Sequence, residues 1–196
     1  MNSKWLKPKK LSGQSLDQAD SKYQMFIEEM RKKAEEKRKR GEDVDDHLLS
    51  DDPERKAGFR GQKWIDQMLF DMGIPHNTYW RDDLPDTVVW GFGSLETKAI
   101  PEIERSYVDI KKSAWEIHPA IYLTVVKICD STHETFQFVG WLYGHQVYDL
   151  EFIPKGAAHP RASYRAQISD LNDPRRFLKK LWKNRDERNT QKLFET

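Results

Sequence analysis

Apolar residues recur at helical spacing in the N-terminal part of the chain. This spacing predicts one helix over about 17–40, preceded by a flexible arm over 1–17 that shows no periodicity. The stripe consists of Tyr23, Phe26, Ile27, Met30 and Ala34. The end of the helix, 31–40, is polar all round and basic. We expect it to be a solvated face, with phosphate binding as the alternative.

A second helical stripe follows an acidic stretch. Residues 50–54 (Ser-Asp-Asp-Pro-Glu) form a helix-start signature, and Gly73 follows the last apolar position, so we predict a helix over about 53–72. The acidic residues of 41–46 indicate a linker. We therefore divide the chain into a basic arm, charged helix and acidic linker over 1–49 and a compact domain with a basic C-terminal helix over 50–196.

The next apolar segments are short and rich in β-branched and aromatic residues, which is typical of strands. They cover 76–81, 87–90 and 94–100, and Gly91-Phe92-Gly93 forms a tight turn between the second and the third. This pattern predicts a three-stranded meander.

The rest of the chain alternates between helix and strand patterns. We predict a polar helix over 106–117, a strand over 120–129 buried on both faces, a strand over 134–143, a short helix over 144–150, a loop over 151–160, a strand over 163–168 and a closing helix from 173 to about 183. This order predicts an α/β fold with a mixed central β-sheet flanked by helices, plus an extra charged N-terminal helix.

Charge is unevenly distributed along the 196 residues, although the net charge is only +1. Lys and Arg exceed Asp and Glu by 6 over 1–40 and by 4 over 171–196, whereas 41–110 carries −9 and 111–170 is neutral. Basic ends around an acidic middle favour an anionic polymer held by the flanks and a carboxylate cluster that recruits a cation. Ordinary solvated charge is the alternative.

Composition excludes several classes of protein. No apolar run approaches the roughly 18 residues of a membrane helix, so we expect no membrane partner. The single Cys129 excludes an internal disulfide framework and a multi-cysteine zinc site, and it fits the reducing cytoplasm. The six histidines show no metal-ligand spacing, and we assign them no role.

The predicted hairpin carries the residues that could take part in a chemical reaction. Because side chains alternate along a strand, Glu96 and Lys98 point to one face. If the hairpin is centred near Phe92, Asp86 faces Lys98, with Glu96 on the diagonal. Diagonal neighbours lie roughly 7–8 Å apart, which is close enough for both carboxylates to reach one ion.

Two carboxylates and a backbone carbonyl are hard oxygen ligands, which suit Mg²⁺, with Mn²⁺ as a substitute. The ion would polarise a phosphoryl oxygen, while Lys98 would orient the attacking water and offset negative charge in the transition state. This chemistry is phosphodiester hydrolysis. The alternative is an exposed ion pair between Glu96 and Lys98 on an edge strand, because Glu-x-Lys is a very common sequence.

These residues give the chain a resemblance to a known family. Pro85-Asp86 followed, after nine intervening residues, by Glu96-Thr97-Lys98 is similar to the motif of the PD-(D/E)XK nuclease superfamily. The order of helix, meander, helix and further strands matches as well, over about 53–143. The resemblance implies a restriction-endonuclease-like fold.

The resemblance also implies a role for each residue of the motif. Asp86 and Glu96 would bind the metal, the Thr97 carbonyl would add a ligand, and Lys98 would be the catalytic lysine. Many members of the superfamily carry a metal-proximal Glu in the first helix, where this chain has Gln62. Either the site tolerates Gln62 in its outer shell, which we favour, or Asp66 one turn further on replaces the acid, or the site is degenerate.

Several cations are candidates for contacts with DNA phosphates. They are Arg55, Lys56, Arg60 and Lys63 on the first core helix and Lys111 and Lys112 on the predicted helix 106–117. The closing helix also has a basic face, with Arg175, Arg176, Lys179 and Lys180, around residues that pack inward. Solvated helix faces are the alternative in each case.

We therefore expect a Mg²⁺-dependent DNA endonuclease. Its compact size fits a phage or mobile-element protein in the cytoplasm of a bacterial or phage-infected cell, and cutting two strands usually needs two sites, as in a homodimer. One alternative is a catalytically weakened nucleic-acid-binding module, in which Gln62 marks lost metal affinity. Another is an α/β protein-interaction domain that docks a partner through the stripe of Tyr23 to Met30.

Overall fold

Four α-helices and nine β-strands build the chain in the computed structural model, which describes residues 3–44, 49, 52–79, 84–117, 119–156 and 161–194. The helices are α1 (Gly13–Lys39), α2 (Pro53–Asp71), α3 (Lys112–Ile117) and α4 (Pro174–Phe194). Short 3₁₀ turns cover Ser3–Leu6, Gly144–Asp149 and Ile168–Asp170. None of the helices described here has the length and apolar character needed to cross a membrane.

The strands form two sheets. They are β1 (Lys9–Lys10), β2 (His76–Thr78), β3 (Thr87–Val89), β4 (Gly93–Ile100), β5 (Tyr107–Lys111), β6 (Tyr122–Ile128), β7 (Thr135–Tyr143), β8 (Glu151–Ile153) and β9 (Ser163–Gln167). Six strands pair in the order β1-β7-β6-β4-β3-β2, and three in the order β5-β9-β8. Since β4 and β6 are parallel and the other pairs antiparallel, the predicted mixed α/β sheet is confirmed.

The two faces of the six-stranded sheet bury different cores. One face packs against α2 and α4, where Trp64, Leu95 and Phe177 belong to a single apolar cluster. The other face packs against the three-stranded sheet, where Ile100 and Val108 belong to a second cluster. Leu95 and Ile100 thus mark opposite faces of β4, as alternation along a strand requires.

The helix predicted over 53–72 is confirmed as α2, and the predicted start signal also caps it in the structure. The side chain of Asp52 accepts hydrogen bonds from the backbone N–H groups of Glu54 and Arg55, at 3.0 and 3.4 Å. Pro53 stands in the first turn, where its missing N–H costs nothing. Gly73, at a φ of 66°, follows the last turn.

The N-terminal segment is not a flexible arm, and that prediction is wrong. Trp5 and Leu11 are buried in the core, and the Trp5 ring packs edge-on against Trp64 with 5.3 Å between ring centroids. α1 begins at Gly13, four residues before the predicted start, because the Ser12 hydroxyl accepts a hydrogen bond from the N–H of Ser15. The division into 1–49 and 50–196 stays a prediction, and residues 45 and 46 of the proposed linker lie outside the described residues.

The apolar stripe of α1 packs against α2. Tyr23 and Ile27 are buried, and the Tyr23 ring lies 5.7 Å from that of Phe59. The Tyr23 hydroxyl accepts a 2.7 Å hydrogen bond from the N–H of Asp52. The stripe that a docking partner would have needed is therefore covered by the chain itself.

The predicted polar helix over 106–117 is wrong in its first half. Residues Tyr107–Lys111 form β5, because Tyr107, Asp109 and Lys111 alternate with the apolar Val108 and Ile110 at the period of a strand. Only α3 is helical, so Lys111 lies on a strand and Lys112 begins the helix. Further on, β8 lies within the predicted loop over 151–160, and α4 continues to Phe194, well past residue 183.

The hairpin of β3 and β4 forms where predicted but in a different register. Thr87 pairs with Leu95 and Val89 with Gly93, so the turn is centred on Gly91, whose φ is 70°. This register, continued by one residue, places Asp86 opposite Glu96, and the predicted pairing of Asp86 with Lys98 is wrong. Because the shift is two residues, every side chain keeps its predicted face.

Candidate functional site

The candidate site lies where β3 begins and β4 continues beyond it. Pairing between the two strands stops at Thr87, and among the described residues no other strand continues it along β4 on that side. There the N–H of Thr97 donates a 2.7 Å hydrogen bond to Oδ2 of Asp86. The carboxylate thus replaces a missing strand partner, and this bond fixes its position against β4.

Glu96 and Lys98 share one face of β4, as predicted. The ammonium group of Lys98 donates a hydrogen bond to Oε1 of Glu96. The Glu96 side chain is 19% exposed and that of Lys98 31% exposed, so the pair is sheltered but reachable from solvent. Two carboxylates and one ammonium group therefore meet in a partly buried site.

Electrostatic coupling shifts the titration of these groups. Burial, and then the negative charge of Glu96, raise the pKa of Asp86 to about 7, although the Lys98 charge and the Thr97 N–H oppose the shift. Burial lowers the pKa of Lys98, but the charges of Glu96 and Asp86 outweigh it and hold that pKa above its usual value. Near neutral pH, Asp86 therefore binds a proton that a cation could displace.

Thr97 and Thr124 brace the backbone of the site. Thr97 is buried, and its hydroxyl shares a 3.0 Å hydrogen bond with the Thr124 hydroxyl on β6. Thr124 also donates a 3.2 Å hydrogen bond to the carbonyl of Glu96. We did not predict this role of Thr124 from the sequence, where the one available signal is a hydroxyl residue inside an otherwise apolar strand.

Gln62 contacts Asp86, but through the backbone. Its side-chain amide donates hydrogen bonds of 2.8 and 3.3 Å to the carbonyl oxygens of Tyr79 and Asp86. Gln62 is buried, so these bonds satisfy a polar group that water does not reach. The geometry gives Gln62 a positioning role where β2 ends and β3 begins.

Asp66, the alternative helix-borne acid, has its own partners. Its carboxylate accepts hydrogen bonds from Lys63, from His76 at 2.8 Å and from Thr78 at 2.6 Å. Burial raises the pKa of Asp66, but these three bonds outweigh it and hold that pKa well below its usual range. All partners belong to α2 and β2, so Asp66 is part of a structural cluster beside the site.

His76 completes this cluster, although its sequence position shows no motif. Its Nδ1 lies 2.7 Å from the carbonyl oxygen of Ile74, and its Nε2 lies 2.8 Å from Asp66. Both ring nitrogens thus face acceptors, an arrangement that the charged imidazolium satisfies best. Burial lowers the pKa of His76, but the bonds to Asp66 and Ile74 outweigh it and raise that pKa.

Arg60, one of the cations predicted to contact DNA, holds secondary structure together. Its guanidinium group makes two 2.7 Å bonds to Asp20 on α1 and bonds of 2.8 and 3.2 Å to the carbonyls of Thr132 and His133. Lys56 pairs with the same Asp20 at 3.2 Å. Arg60 is buried, so its charge stabilises the packing of α1 on α2.

The other candidate cations differ in how freely they could reach a phosphate. Lys63 is paired with Asp66, and Arg55 lies 3.6 Å from Asp52. Lys112 pairs loosely with Glu116 at 3.6 Å. Lys111 is exposed at the end of β5. Contacts between these residues and nucleic acid stay a prediction.

The donor set of the site fits a hard, water-rich ion. No group of three or more His, Cys, Asp or Glu side chains gathers around a common point in the part of the chain that the structure describes. Asp86 and Glu96 are a pair of carboxylates, and Mg²⁺ is commonly bound by one or two carboxylates plus water and substrate phosphate. The residues therefore fit Mg²⁺ better than a metal that needs an all-protein cage.

Comparison with known proteins assigns no family. No family model matches the chain, and searches of curated proteins and of solved structures find no match either. The fold and the site define a mixed α/β protein with two carboxylates and a lysine on one hairpin. Membership of the PD-(D/E)XK superfamily stays a prediction from the motif.

Proposed function

We propose that this protein is a Mg²⁺-dependent DNA nuclease that hydrolyses phosphodiester bonds within the polymer. The observation that supports it is the convergence of Asp86, Glu96 and Lys98 at one sheltered, solvent-reachable point of the β3–β4 hairpin. The pKa of Asp86 is raised to about 7 because its ionised form adds a second negative charge beside Glu96 against the single positive charge of Lys98, and a divalent cation that displaces the proton would neutralise this charge.

Asp86 and Glu96 would hold the ion, with the Thr97 carbonyl as a further oxygen ligand. Bound Mg²⁺ supplies positive charge that polarises the phosphoryl group, and Mn²⁺ has the same preference for oxygen. Lys98 would orient the attacking water and stabilise the negative charge that develops on the phosphate. Glu96 keeps the Lys98 ammonium at the site through their hydrogen bond.

Three hydrogen bonds preorganise the reacting centre. The N–H of Thr97 holds the Asp86 side chain, and the Gln62 amide holds the Asp86 carbonyl. Thr124 holds the Glu96 carbonyl from the neighbouring strand. Since rigid support of the reacting groups lowers the cost of reaching the transition state, we assign these three residues to positioning.

Nicking of supercoiled plasmid in Mg²⁺, Mn²⁺ or EDTA tests the function. Asp86→Asn, Glu96→Gln and Lys98→Met should each lower cleavage by about 100-fold or more, and EDTA should abolish it. Glu116→Gln removes an exposed carboxylate from α3 and is the matched control, which should cleave like the wild type. Near-wild-type cleavage by two of the three site variants would contradict the assignment of the active site to these residues.

The same assay extends to the substrate and the assembly. Linear duplex, single-stranded and four-way-junction DNA distinguish the form of DNA that is cut. We also propose a homodimer, because cutting both strands of a duplex usually needs two sites. Sedimentation of the protein with and without duplex DNA measures this, and a monomer in both conditions would contradict it.

A nucleic-acid-binding module without catalysis is the second candidate. The side-chain amide of Gln62 is hydrogen-bonded to backbone carbonyls, and Asp66 is hydrogen-bonded to partners beside the site. Neither residue therefore supplies a third acid at the site, which favours the binding module. Binding of DNA that is unaffected by Asp86→Asn, without cleavage in any metal, would support the module. Metal-dependent cleavage would exclude it.

A further inference from the structure

The outer face of α4 is a row of cations. The helix contains eight Lys or Arg residues and only two acidic residues. Phe177, Leu178 and Leu181 are buried against the six-stranded sheet. The opposite face is exposed and carries Arg175, Arg176, Lys179, Lys180 and Lys183.

Three of these cations make no ion pair with any carboxylate in the described part of the chain: Arg175, Arg176 and Lys179. Lys183 lies 3.6 Å from Glu187, and both side chains are exposed, so this pair is weak and screened by salt. Lys180 donates a 2.8 Å hydrogen bond to the Tyr143 hydroxyl. The row therefore presents positive charge that the protein itself leaves uncompensated.

The first turn of α4 adds to this positive charge. Arg175 and Arg176 stand at the helix N-terminus, where the backbone dipole is already positive, and the first turn contains no acidic residue. Asp173 lies just before the helix, and its side chain accepts a 2.8 Å hydrogen bond from the N–H of Arg175. Two cations at this end oppose the helix dipole, and a bound anion would relieve the repulsion.

α4 also rests on the hairpin that carries the candidate site. The Asn184 side chain donates a 3.1 Å hydrogen bond to the carbonyl of Trp90, and the Arg188 guanidinium lies 5.8 Å from the Trp90 ring centroid. Trp90 is 47% exposed at the tip of the hairpin. From Gly93, which starts β4, Glu96 is three residues along the strand, which is about 10 Å. Because Glu96 alternates with Leu95, its side chain lies on the face of β4 opposite to α4, so a polymer on α4 would reach the site around the tip of the hairpin at Trp90.

We propose that the outer face of α4, together with Trp90, binds the phosphate backbone of double-stranded DNA. The choice of DNA rests on the proposed function. From Arg175 to Lys183 the row spans about 12 Å, which equals the axial rise of three to four base pairs of a duplex. An anionic membrane fits less well, because none of the exposed residues of α4 from Arg175 to Lys183 is apolar and Trp90 adds only a single aromatic ring to this surface.

The test compares two variants with the same loss of charge. One carries Arg175→Gln, Arg176→Gln, Lys179→Gln and Lys183→Gln on α4. The control carries Arg31→Gln, Lys32→Gln, Lys37→Gln and Lys39→Gln on α1, where these residues are also exposed. Fluorescence anisotropy measures the binding of a short labelled duplex in EDTA over a series of KCl concentrations.

The α4 variant should bind at least about tenfold more weakly at low salt, and its slope of log affinity against log salt should fall by about 3. The control slope should change by less than about 1. Equal losses in both variants, or an unchanged slope in the α4 variant, would overturn the proposal. Equal binding of the wild type to phosphatidylglycerol vesicles at the same salt would overturn the choice of DNA.

Two further measurements keep the result interpretable. Circular-dichroism melting checks that each variant is folded, and Lys179→Glu is the single substitution to use if the fourfold α4 variant is not. Because binding is measured in EDTA, it does not depend on cleavage. Binding that depends on α4, without cleavage in Mg²⁺, would support this inference and contradict the proposed nuclease function. Cleavage by an α4 variant that binds DNA like the wild type would support the nuclease function and contradict this inference.

Discussion

The backbone N–H of Thr97 donates a 2.7 Å hydrogen bond to Oδ2 of Asp86. This bond joins the two halves of the site, because Asp86 precedes β3 while Thr97 lies between Glu96 and Lys98 on β4. A displacement of either strand would therefore move both carboxylates relative to each other.

Substitutions at Asp86 and Glu96 should not add. If both carboxylates serve one transition state, the double variant Asp86→Asn, Glu96→Gln should nick plasmid no more slowly than the worse single variant. Initial rates in Mg²⁺ measure this. Losses that multiply in the double variant would instead show that the two carboxylates act independently.

The pKa of Asp86 should respond to both of its charged neighbours. Glu96→Gln removes a negative charge and should lower the Asp86 pKa from about 7, while Lys98→Met removes a positive charge and should raise it. NMR titration of the side-chain carboxyl in EDTA measures both shifts. An Asp86 pKa that is the same in all three proteins would contradict the coupling.

The raised Asp86 pKa also affects stability in the absence of metal. Between about pH 4, its unfolded pKa, and about pH 7, the folded protein binds the extra proton, so this group makes stability fall as pH rises through that window. Urea unfolding in EDTA over this range should show a weaker dependence in Asp86→Asn. An unchanged profile would place the titration elsewhere.

The pair of Asp66 and His76 should act on stability in the opposite sense at low pH. The lowered pKa of Asp66 gives stabilisation that is present above about pH 4 and is lost as pH falls below it. The raised pKa of His76 gives stabilisation that is complete below about pH 6.5 and is lost as pH rises through its folded value. Stability from this pair is therefore greatest between the two limits.

Substitution of His76 tests this pair. His76→Ala should cost about 2 kcal/mol near pH 5.5 and less at pH 9, because it leaves Asp66 with one partner fewer in a sheltered place. Urea unfolding at the two pH values measures the difference, with Glu116→Gln as the control. A loss of the same size at both pH values would assign His76 a packing role only.

Gln62→Glu should destabilise the protein. The amide donates to two backbone carbonyls, whereas an ionised carboxylate has no proton to donate and would repel both oxygens. We expect a loss of about 1–3 kcal/mol in urea unfolding and no gain in Mg²⁺ affinity by calorimetry. Gln24→Glu on the exposed face of α1 is the matched control. Tighter Mg²⁺ binding by Gln62→Glu would place this residue at the ion instead.

Trp5→Ala should destabilise the whole domain. The ring is buried against Trp64, so its removal should cost about 3–5 kcal/mol in urea unfolding. If residues 1–49 formed a separate unit, the rest of the chain would unfold at the wild-type urea concentration. Fluorescence of the remaining tryptophans reports that transition.

Periodic features of the sequence were sufficient for most of the fold. The stripes of α1 and α2 and the glycine turn around Gly91 depend on local preferences, and each formed near its predicted place. The mixed sheet followed from the order of these elements. Such features can be predicted because neighbouring residues alone determine them.

Features that depend on distant contacts could not be predicted in the same way. The burial of Trp5 depends on Trp64, far along the chain, and a short segment shows no period. The register of the hairpin depends on which residue of the turn is central, so a change of one position exchanged Lys98 for Glu96 as the partner of Asp86. The hydrogen bonds of Gln62 are donated to main-chain oxygens, and because every residue has such an oxygen, the sequence does not indicate these partners.

β1, only two residues long, lies along the outer edge of β7, the longest strand of the sheet. Next to it, the Gln137 side chain donates to the carbonyl of Leu6, and the N–H of Asn172 donates to the carbonyl of Trp141. Open strand edges recruit strands of other molecules and lead to aggregation. Loss of the first ten residues would therefore expose this edge of β7 to pairing with other chains. Chains cut there should self-associate even while most of the sheet remains intact.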